Sequence, residues 1–344
     1  MNGIVTFHDG INYGAYLQVY ALQNLLKNQG IHNEIINYKN RLHWFKEYKC
    51  FIYTKRPVLL YSNLVKIAKF KKAQRKLILT KYFSKKEHFK NKYENIIFGS
   101  DEIWNFKNPF FGTDLIYFGE GLCADKFISY AASFGAVNYG DTIPDKIQEL
   151  LCSFHAISVR DENSFRIIKD FFRGTIEIAL DPILLYDFSE DIECHRHESN
   201  YILVYTVGLD PDVQSKLKEY ATKKGKILIS VGYLNSFCDR NVIGIGPFEF
   251  LDYVINADEI VTSMFHGVLF SIKYRRQFCI VTDPYRINKL SAVMKSLKIE
   301  DRILSDEFDS IFNKQINYDS IHAVIEKEKV KSAKYLIDSI NKWT

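Results

Sequence analysis

His266 follows the strand-like run 259–262 and stands at the start of a helical pattern, next to Gly267. An imidazole there can give or take a proton near neutral pH, with backbone N–H groups of a helix start close by. The other reading of His266 is a helix-start residue that caps or packs. Arg160 comes directly after the run 157–159. Its fixed, planar charge suits a carboxylate or phosphate, unless Asp161 or another acid holds it. Asp101 follows the run 95–99 and can act as a base or orient a hydroxyl. Trp104 offers a ring for stacking on a sugar, with a core role as the alternative. His8 ends the first strand-like run, and Asn12 and Gly14 open the first helix, where a phosphate can approach closely. Ser133, Gly267 and Arg286 complete the candidate binding residues.

The surrounding residues show what must hold these groups. Residues 3–7 read as a strand and 8–13 as a polar loop; Leu17, Ala21 and Leu25 then recur at helical spacing until Gly30. Residues 34–38 begin the next strand, so the N-terminus is a β-α-β unit and implies a parallel sheet. Strands are expected again at 95–99, 127–131, 156–159 and 175–178, with helices at 145–154 and 162–171. A second series follows, with strands at 201–207, 226–231, 242–245, 259–262 and 278–282. Its helices are expected at 211–223, 247–256, 265–274 and 287–297.

The polar stretch 189–200 reads as a linker. The expected fold class is α/β, with two Rossmann-like domains facing each other, at 1–188 and 200–320, and a closing amphipathic helix at 321–344. A length of 344 residues supports two domains. In open α/β sheets ligands bind beyond the carboxyl ends of the strands, which is where the candidate residues fall.

Composition narrows the function classes. The net charge is only +5, yet residues 66–92 hold eleven Lys or Arg against a single acid, Glu87. Leu64, Ile67, Leu77, Ile78 and Phe83 interleave with those bases, so 64–92 reads as a basic amphipathic helix or helix pair. That face is either solvated or in peripheral contact with anionic lipid. It matches no nucleic-acid-binding module, and no nucleic-acid partner is expected. The six cysteines lack a CxxC pair and read as reduced thiols. Cys194-His195 with His197 is the one metal-like cluster, and without a second ligand pair no metal is expected. Ser133 and Ser153 lack a nucleophile-elbow context, and no Walker-type loop is present. No leader-like start or stretch of about 18 apolar residues is seen, so the expected location is cytoplasmic.

Read in order, the loops form a pattern. Thr6-Phe7-His8 is followed by Asn12-Tyr13-Gly14-Ala15 and Leu17-Gln18, then by Gly99-Ser100-Asp101 with Ile103-Trp104-Asn105. Next come residues 129–135 (SYAASFG), 157–161 (ISVRD) with Ser164, and Leu180-Asp181-Pro182. The second half adds Gly246-Pro247 with Glu249-Phe250, Asn256-Ala257-Asp258, Thr262 with Phe265-His266-Gly267, and Arg286-Ile287. This ordered set, spanning about residues 3–302, resembles the polysaccharide pyruvyl transferase family.

The resemblance implies a glycosyltransferase-B-like pair of Rossmann domains with the active site between them around His266. It implies transfer of pyruvate from phosphoenolpyruvate, the donor substrate, to a sugar as a cyclic ketal, without a redox or other cofactor. The acceptor would be a lipid-linked precursor of a surface polysaccharide, met at the inner face of the plasma membrane. The family's histidine at position 266 is the favoured catalytic residue, and its Val-Arg-Asp-type motif favours Arg160 as a substrate ligand. Many members carry Asp-Arg-Leu-His where this chain has Ser263-Met264-Phe265-His266. With Met264 in place of that arginine, Arg286, Lys273 or Arg275 must bring the charge, or the donor differs. A sugar-nucleotide-dependent glycosyltransferase and a noncatalytic glycan- or anion-binding protein are the other functions considered.

Overall fold

The computed structural model describes residues 1–85, 89–108, 112–192, 200–281, 290 and 293–341. The chain divides into two compact units. The first comprises Met1–Lys49, Gln74–Tyr186 and Ile325–Thr344; the second comprises Cys50–Ala73 and Asp187–Val324.

The first unit is built on six strands: β1 (Asn2–Val5), β2 (Asn33–Ile35), β3 (Lys92–Phe98), β4 (Cys123–Ser129), β5 (Ala156–Val159) and β6 (Thr175–Ile178). They lie in the order β2-β1-β3-β4-β5-β6, and every pairing is parallel. All four residues of β1 and all four of β5 are buried, as expected of parallel strands covered on both faces. The helices of the first half are α1 (Tyr13–Asn28), α2 (Arg41–Ile52), α3 (Pro57–Gln74), α4 (Asp145–Cys152), α5 (Glu162–Phe171) and α6 (Pro182–Leu185). Local chemistry fixes several starts. Asn12 Oδ1 accepts from Ala15 N at 3.1 Å, Asp161 Oδ1 from Ser164 N at 2.7 Å, and Asp181 precedes Pro182 at the first helical position.

The second unit has β7 (Tyr201–Tyr205), β8 (Ile227–Val231), β9 (Arg240–Val242), β10 (Glu259–Thr262) and β11 (Gln277–Ile280), again all parallel, in the order β11-β10-β7-β8-β9. Its helices are α7 (Pro211–Lys224), α8 (Pro247–Asn256), α9 (Phe265–Lys273) and α10 (Phe308–Phe312). α7 begins with Pro211 after the Asp210 cap and ends at Gly225, whose φ of 64° suits a residue without a side chain. The last helix, α11 (Tyr318–Asn341), belongs to the first unit from Ile325 onward.

Two parallel-sheet α/β units agree with the expected fold class, but their limits differ from the sequence boundaries. α3 packs in the second unit because Lys66 Nζ donates to Gly232 O at 3.0 Å and Lys69 pairs with Glu249 at 2.6 Å. The end of the chain packs in the first unit: Ser332 Oγ accepts from Leu180 N at 2.9 Å, and Tyr335 OH donates to Ser129 O at 3.1 Å. Of the basic amphipathic helix or helix pair expected over 64–92, only the part up to Gln74 is helical among the described residues. α3 ends at Gln74, and Leu79 and Phe83 bridge to Ile35 and Tyr38 along the edge of the sheet. Leu77 and Phe83 are buried there, so they are not part of a solvated face. The strand expected at 242–245 forms earlier, at 240–242.

Candidate functional site

Each sheet has a point where its strand order reverses, and the candidate chemistry gathers beyond the carboxyl ends of the strands there. In the first unit β1 has β2 on one side and β3 on the other. The loops after β1 and β3 are tied together by a buried amide and two hydroxyls. Thr6 Oγ1 donates to Ser100 O at 2.8 Å, Gln18 Nε2 donates to Thr6 Oγ1 at 3.1 Å, and Ser100 Oγ donates to Gln18 Oε1. Gly99, at a φ of 117°, passes so near the Tyr130 carbonyl that a Cβ would overlap its oxygen. These ties hold Asp101 in the left-handed region at a φ of 80°, a conformation that costs a non-glycine residue of the order of 1 kcal/mol and must be imposed from outside.

Asp101 and Arg160 are brought together with a third residue, Asp181, which is not among the candidate site residues. Arg160 Nη1 lies 3.3 Å from Asp101 Oδ1 and 3.3 Å from Asp181 Oδ2, and its side chain is only 5% exposed. Burial opposes its charge, but Asp101, Asp181, Asp161 and Glu102 together outweigh it and hold the guanidinium above its ordinary value. Arg160 is therefore a buried clamp between two acids, the alternative to an anion ligand that its sequence position left open. Asp101 receives the Arg160 bond and the Glu102 N–H on the same oxygen, Oδ1.

Three further candidates in this unit are placed within the protein by burial. Trp104 is fully buried, donates from Nε1 to Tyr117 O at 3.0 Å and packs against Phe118, Phe134 and Phe154. It is a core residue rather than a stacking platform. His8 is buried with Nδ1 3.2 Å from Thr6 O and Nε2 3.1 Å from Asn37 Oδ1, so both ring nitrogens are engaged within the protein. Ser133 Oγ donates to Asp161 Oδ2 at 2.7 Å and accepts from Gly135 N at 3.0 Å, which makes it a loop brace. Asn12 is exposed and caps α1, and Gly14 is buried in that helix's first turn.

In the second unit the reversal lies between β7 and β10. Thr262, the last residue of β10, donates to Tyr205 O at 2.7 Å and accepts from Met264 N at 3.0 Å. The next pair is Thr206 Oγ1 and Ser263 Oγ, 2.6 Å apart, with Asn235 Nδ2 donating to Thr206 O at 3.0 Å. These bonds set the turn from which α9 starts, with Met264 at its cap and Phe265 and His266 on its first turn. Gly267 fits only as glycine: a Cβ would overlap Thr262 Oγ1 and stand 2.9 Å from Tyr205 Cδ1. His266 is half-buried, with its ring 5.2 Å from Phe265 in an edge-to-face arrangement. An imidazole on the first turn of a helix, beyond the end of a parallel strand, can exchange a proton with a ligand whose negative charge meets the helix N–H groups.

The cations expected to replace the missing arginine divide clearly. Lys273 is the last residue of α9, about 10 Å along the axis from His266 at 1.5 Å per residue, and lies over the Phe188 ring. Arg275 follows the same helix end and pairs with Asp319 at 3.0 Å. Both belong to the end of α9 opposite His266. Arg286 lies outside the described residues, as do Cys194, His195 and His197. A cation missed by sequence reasoning stands at the carboxyl end of β8: buried Lys66, bonded to Gly232 O and 5.0 Å from the Tyr233 ring centroid. Tyr233 in turn stacks on Tyr205. Among the described residues no group of three or more His, Cys, Asp or Glu is arranged to hold a metal. Nor is any described helix long and apolar enough to cross a membrane.

The family model described as polysaccharide pyruvyl transferase matches residues 12–283. No curated protein matches the chain in sequence. Among solved structures, UDP-GlcNAc 2-epimerase from Neisseria meningitidis superposes with a TM-score of 0.51 at 8% identity, covering 98% of this chain and 99% of that one. UDP-GlcNAc 2-epimerase from Methanocaldococcus jannaschii gives 0.49 at 10% identity over 98% of each chain. An E. coli heptosyltransferase gives 0.43 at 9% identity, covering 95% and 100%. At such identities the likeness concerns fold alone, and the superposition at a TM-score of 0.51 agrees with the glycosyltransferase-B-like class.

Proposed function

Because the chain belongs to the polysaccharide pyruvyl transferase family, we propose that it moves pyruvate from phosphoenolpyruvate onto a sugar of a lipid-linked surface-polysaccharide precursor. It would work in the cytoplasm, at the inner face of the plasma membrane. The observation that supports this reading most is His266 on the first turn of α9, inside the matched span and held there by Thr262 and Gly267.

The reaction needs a proton on the methylene carbon of the enol while one sugar hydroxyl bonds to C2. A second hydroxyl then bonds to C2 as inorganic phosphate leaves, which closes the ketal. His266 is assigned the proton transfer. The start of α9 is assigned to the negative charge of the donor. In the first unit, Asp101 is assigned to orienting a sugar hydroxyl through Oδ2, with Arg160 and Asp181 as its positioning residues.

The purified chain, given phosphoenolpyruvate and lipid-linked sugar acceptors, is expected to release phosphate. The acceptor should gain the mass of one pyruvic acid less water. Met264 favours a second reading, a sugar-nucleotide-dependent glycosyltransferase, since a methionine brings no charge to a phosphoenolpyruvate site. Consumption of a sugar nucleotide with no phosphate from phosphoenolpyruvate would select it.

A further inference from the structure

α3 has two unlike faces, and both belong to the second unit. Asn63, Lys66, Phe70 and Ala73 recur at helical spacing and are all buried. On the opposite side Tyr61 is 70% exposed and Leu64 48%, with Lys72 exposed two turns further on. Just before them Val58 is 79% exposed and Tyr53 81%. Lys55 and Arg56 lie exposed between those two. No acidic residue occurs between Glu47 and Glu87, so nothing in this stretch of chain offsets the bases.

A run of large apolar side chains in water marks a surface that something else covers. Basic residues at both ends of that run select an anionic partner, and tyrosines suit a boundary between apolar and aqueous phases. We propose that the outer face of α3 is a docking surface for an anionic lipid bilayer, with the helix lying in the plane of the headgroups. Its 18 residues extend about 27 Å, along which Val58, Tyr61 and Leu64 enter the acyl boundary while Lys55, Arg56 and Lys72 meet lipid phosphates. The surface lies mostly before the basic segment 64–92 expected from sequence, because within that segment Lys66 and Lys69 are engaged inside the unit and Leu77 and Phe83 are buried. It would bring an enzyme to a lipid-linked acceptor, but it rests on α3 and the residues just before it and stands whatever the donor is.

The test is sedimentation of the full chain with vesicles of phosphatidylcholine, alone or mixed with phosphatidylglycerol, with no phosphoenolpyruvate present. The protein should pellet with the mixed vesicles, less so at high salt, and stay in solution with the neutral ones. Each basic residue near an anionic surface is worth a factor of about five, so Lys55→Glu with Arg56→Glu should lower the partition at least about 25-fold. Tyr61→Ser with Leu64→Ser should also release the protein while leaving its melting temperature unchanged. If that pair melts early, Tyr53→Ser with Val58→Ser provides the same comparison. Equal partition on neutral and anionic vesicles, or folded variants that pellet like the parent, would overturn the proposal. So would a serine variant that still pellets but changes from dimer to monomer, which would assign the face to a second copy of the chain.

Discussion

Replacing Arg160 by methionine separates a structural clamp from a substrate ligand. The substitution keeps most of the side-chain volume and removes the charge that lies 3.3 Å from both Asp101 and Asp181. Those side chains are 11% and 2% exposed, so water cannot take over the role of the guanidinium. Breaking a buried pair by removing one partner costs about 3–5 kcal/mol. For a unit of this size each kcal/mol lowers the melting temperature by about 2–4 °C, which predicts a fall of roughly 6–20 °C. Thermal unfolding followed by circular dichroism reads it directly. The same measurement on Arg160→Met combined with Asp101→Asn and Asp181→Asn should recover part of the loss, since the two carboxylates paired with the guanidinium are then neutral. The amide introduced by Asp181→Asn keeps a carbonyl oxygen for the Ile183 N–H that the Asp181 carboxylate now receives. A single Arg160→Met variant with an unchanged melting temperature and lost phosphoenolpyruvate binding would refute the clamp and restore the ligand reading.

Other consequences follow from burial and close contact. Trp104→Ala should cost about 3–5 kcal/mol in denaturant unfolding, whereas a sugar-stacking role would raise KM with stability unchanged. Gly267→Ala should destabilise by about 1–3 kcal/mol, and adding Thr262→Ala should return part of that by removing the overlapping Oγ1, as a double-mutant cycle would register. Burial pushes the thiols of Cys238 and Cys279 up to about 12, while Cys50, Cys123 and Cys152 are exposed. Of the five described cysteines, Cys50, Cys123 and Cys152 should be labelled by a thiol reagent in the native chain, and Cys238 and Cys279 only after unfolding. The folded thiols keep their protons beyond the ordinary value of 9.0, so their contribution to stability is complete below pH 9. It should decline as the pH rises toward 12; unfolding curves that improve over that range would contradict the assignment.

The α/β character was legible because parallel strands repeat as short apolar runs between helical spacings, and the loops at their carboxyl ends could be named from position. What burial does to a side chain was not. Arg160, His8, Ser133 and Trp104 stand at loop positions that suit a ligand, yet each finds its partner inside the first unit, from residues distant in sequence. Asp181, 21 residues after Arg160, gave no local sign that it would meet the guanidinium. Lys66 reads as one base among many on a solvated helix, and only the packing of α3 shows it buried at the end of β8. Sequence boundaries failed for the same reason, since the segment 50–73 joins a unit whose other residues begin at Asp187. His266 and Gly267 could be read locally because their constraint is local: a strand end, a cap and a glycine next to Thr262.

His266 is proposed to carry proton transfer in ketal formation from phosphoenolpyruvate. The direct measurement is phosphate release from phosphoenolpyruvate, with a lipid-linked acceptor, by the parent chain and by His266→Gln at matched melting temperature. Release by the parent is expected, with a loss of about 10²–10⁴-fold in the variant. A variant that releases phosphate at the parental rate would contradict it.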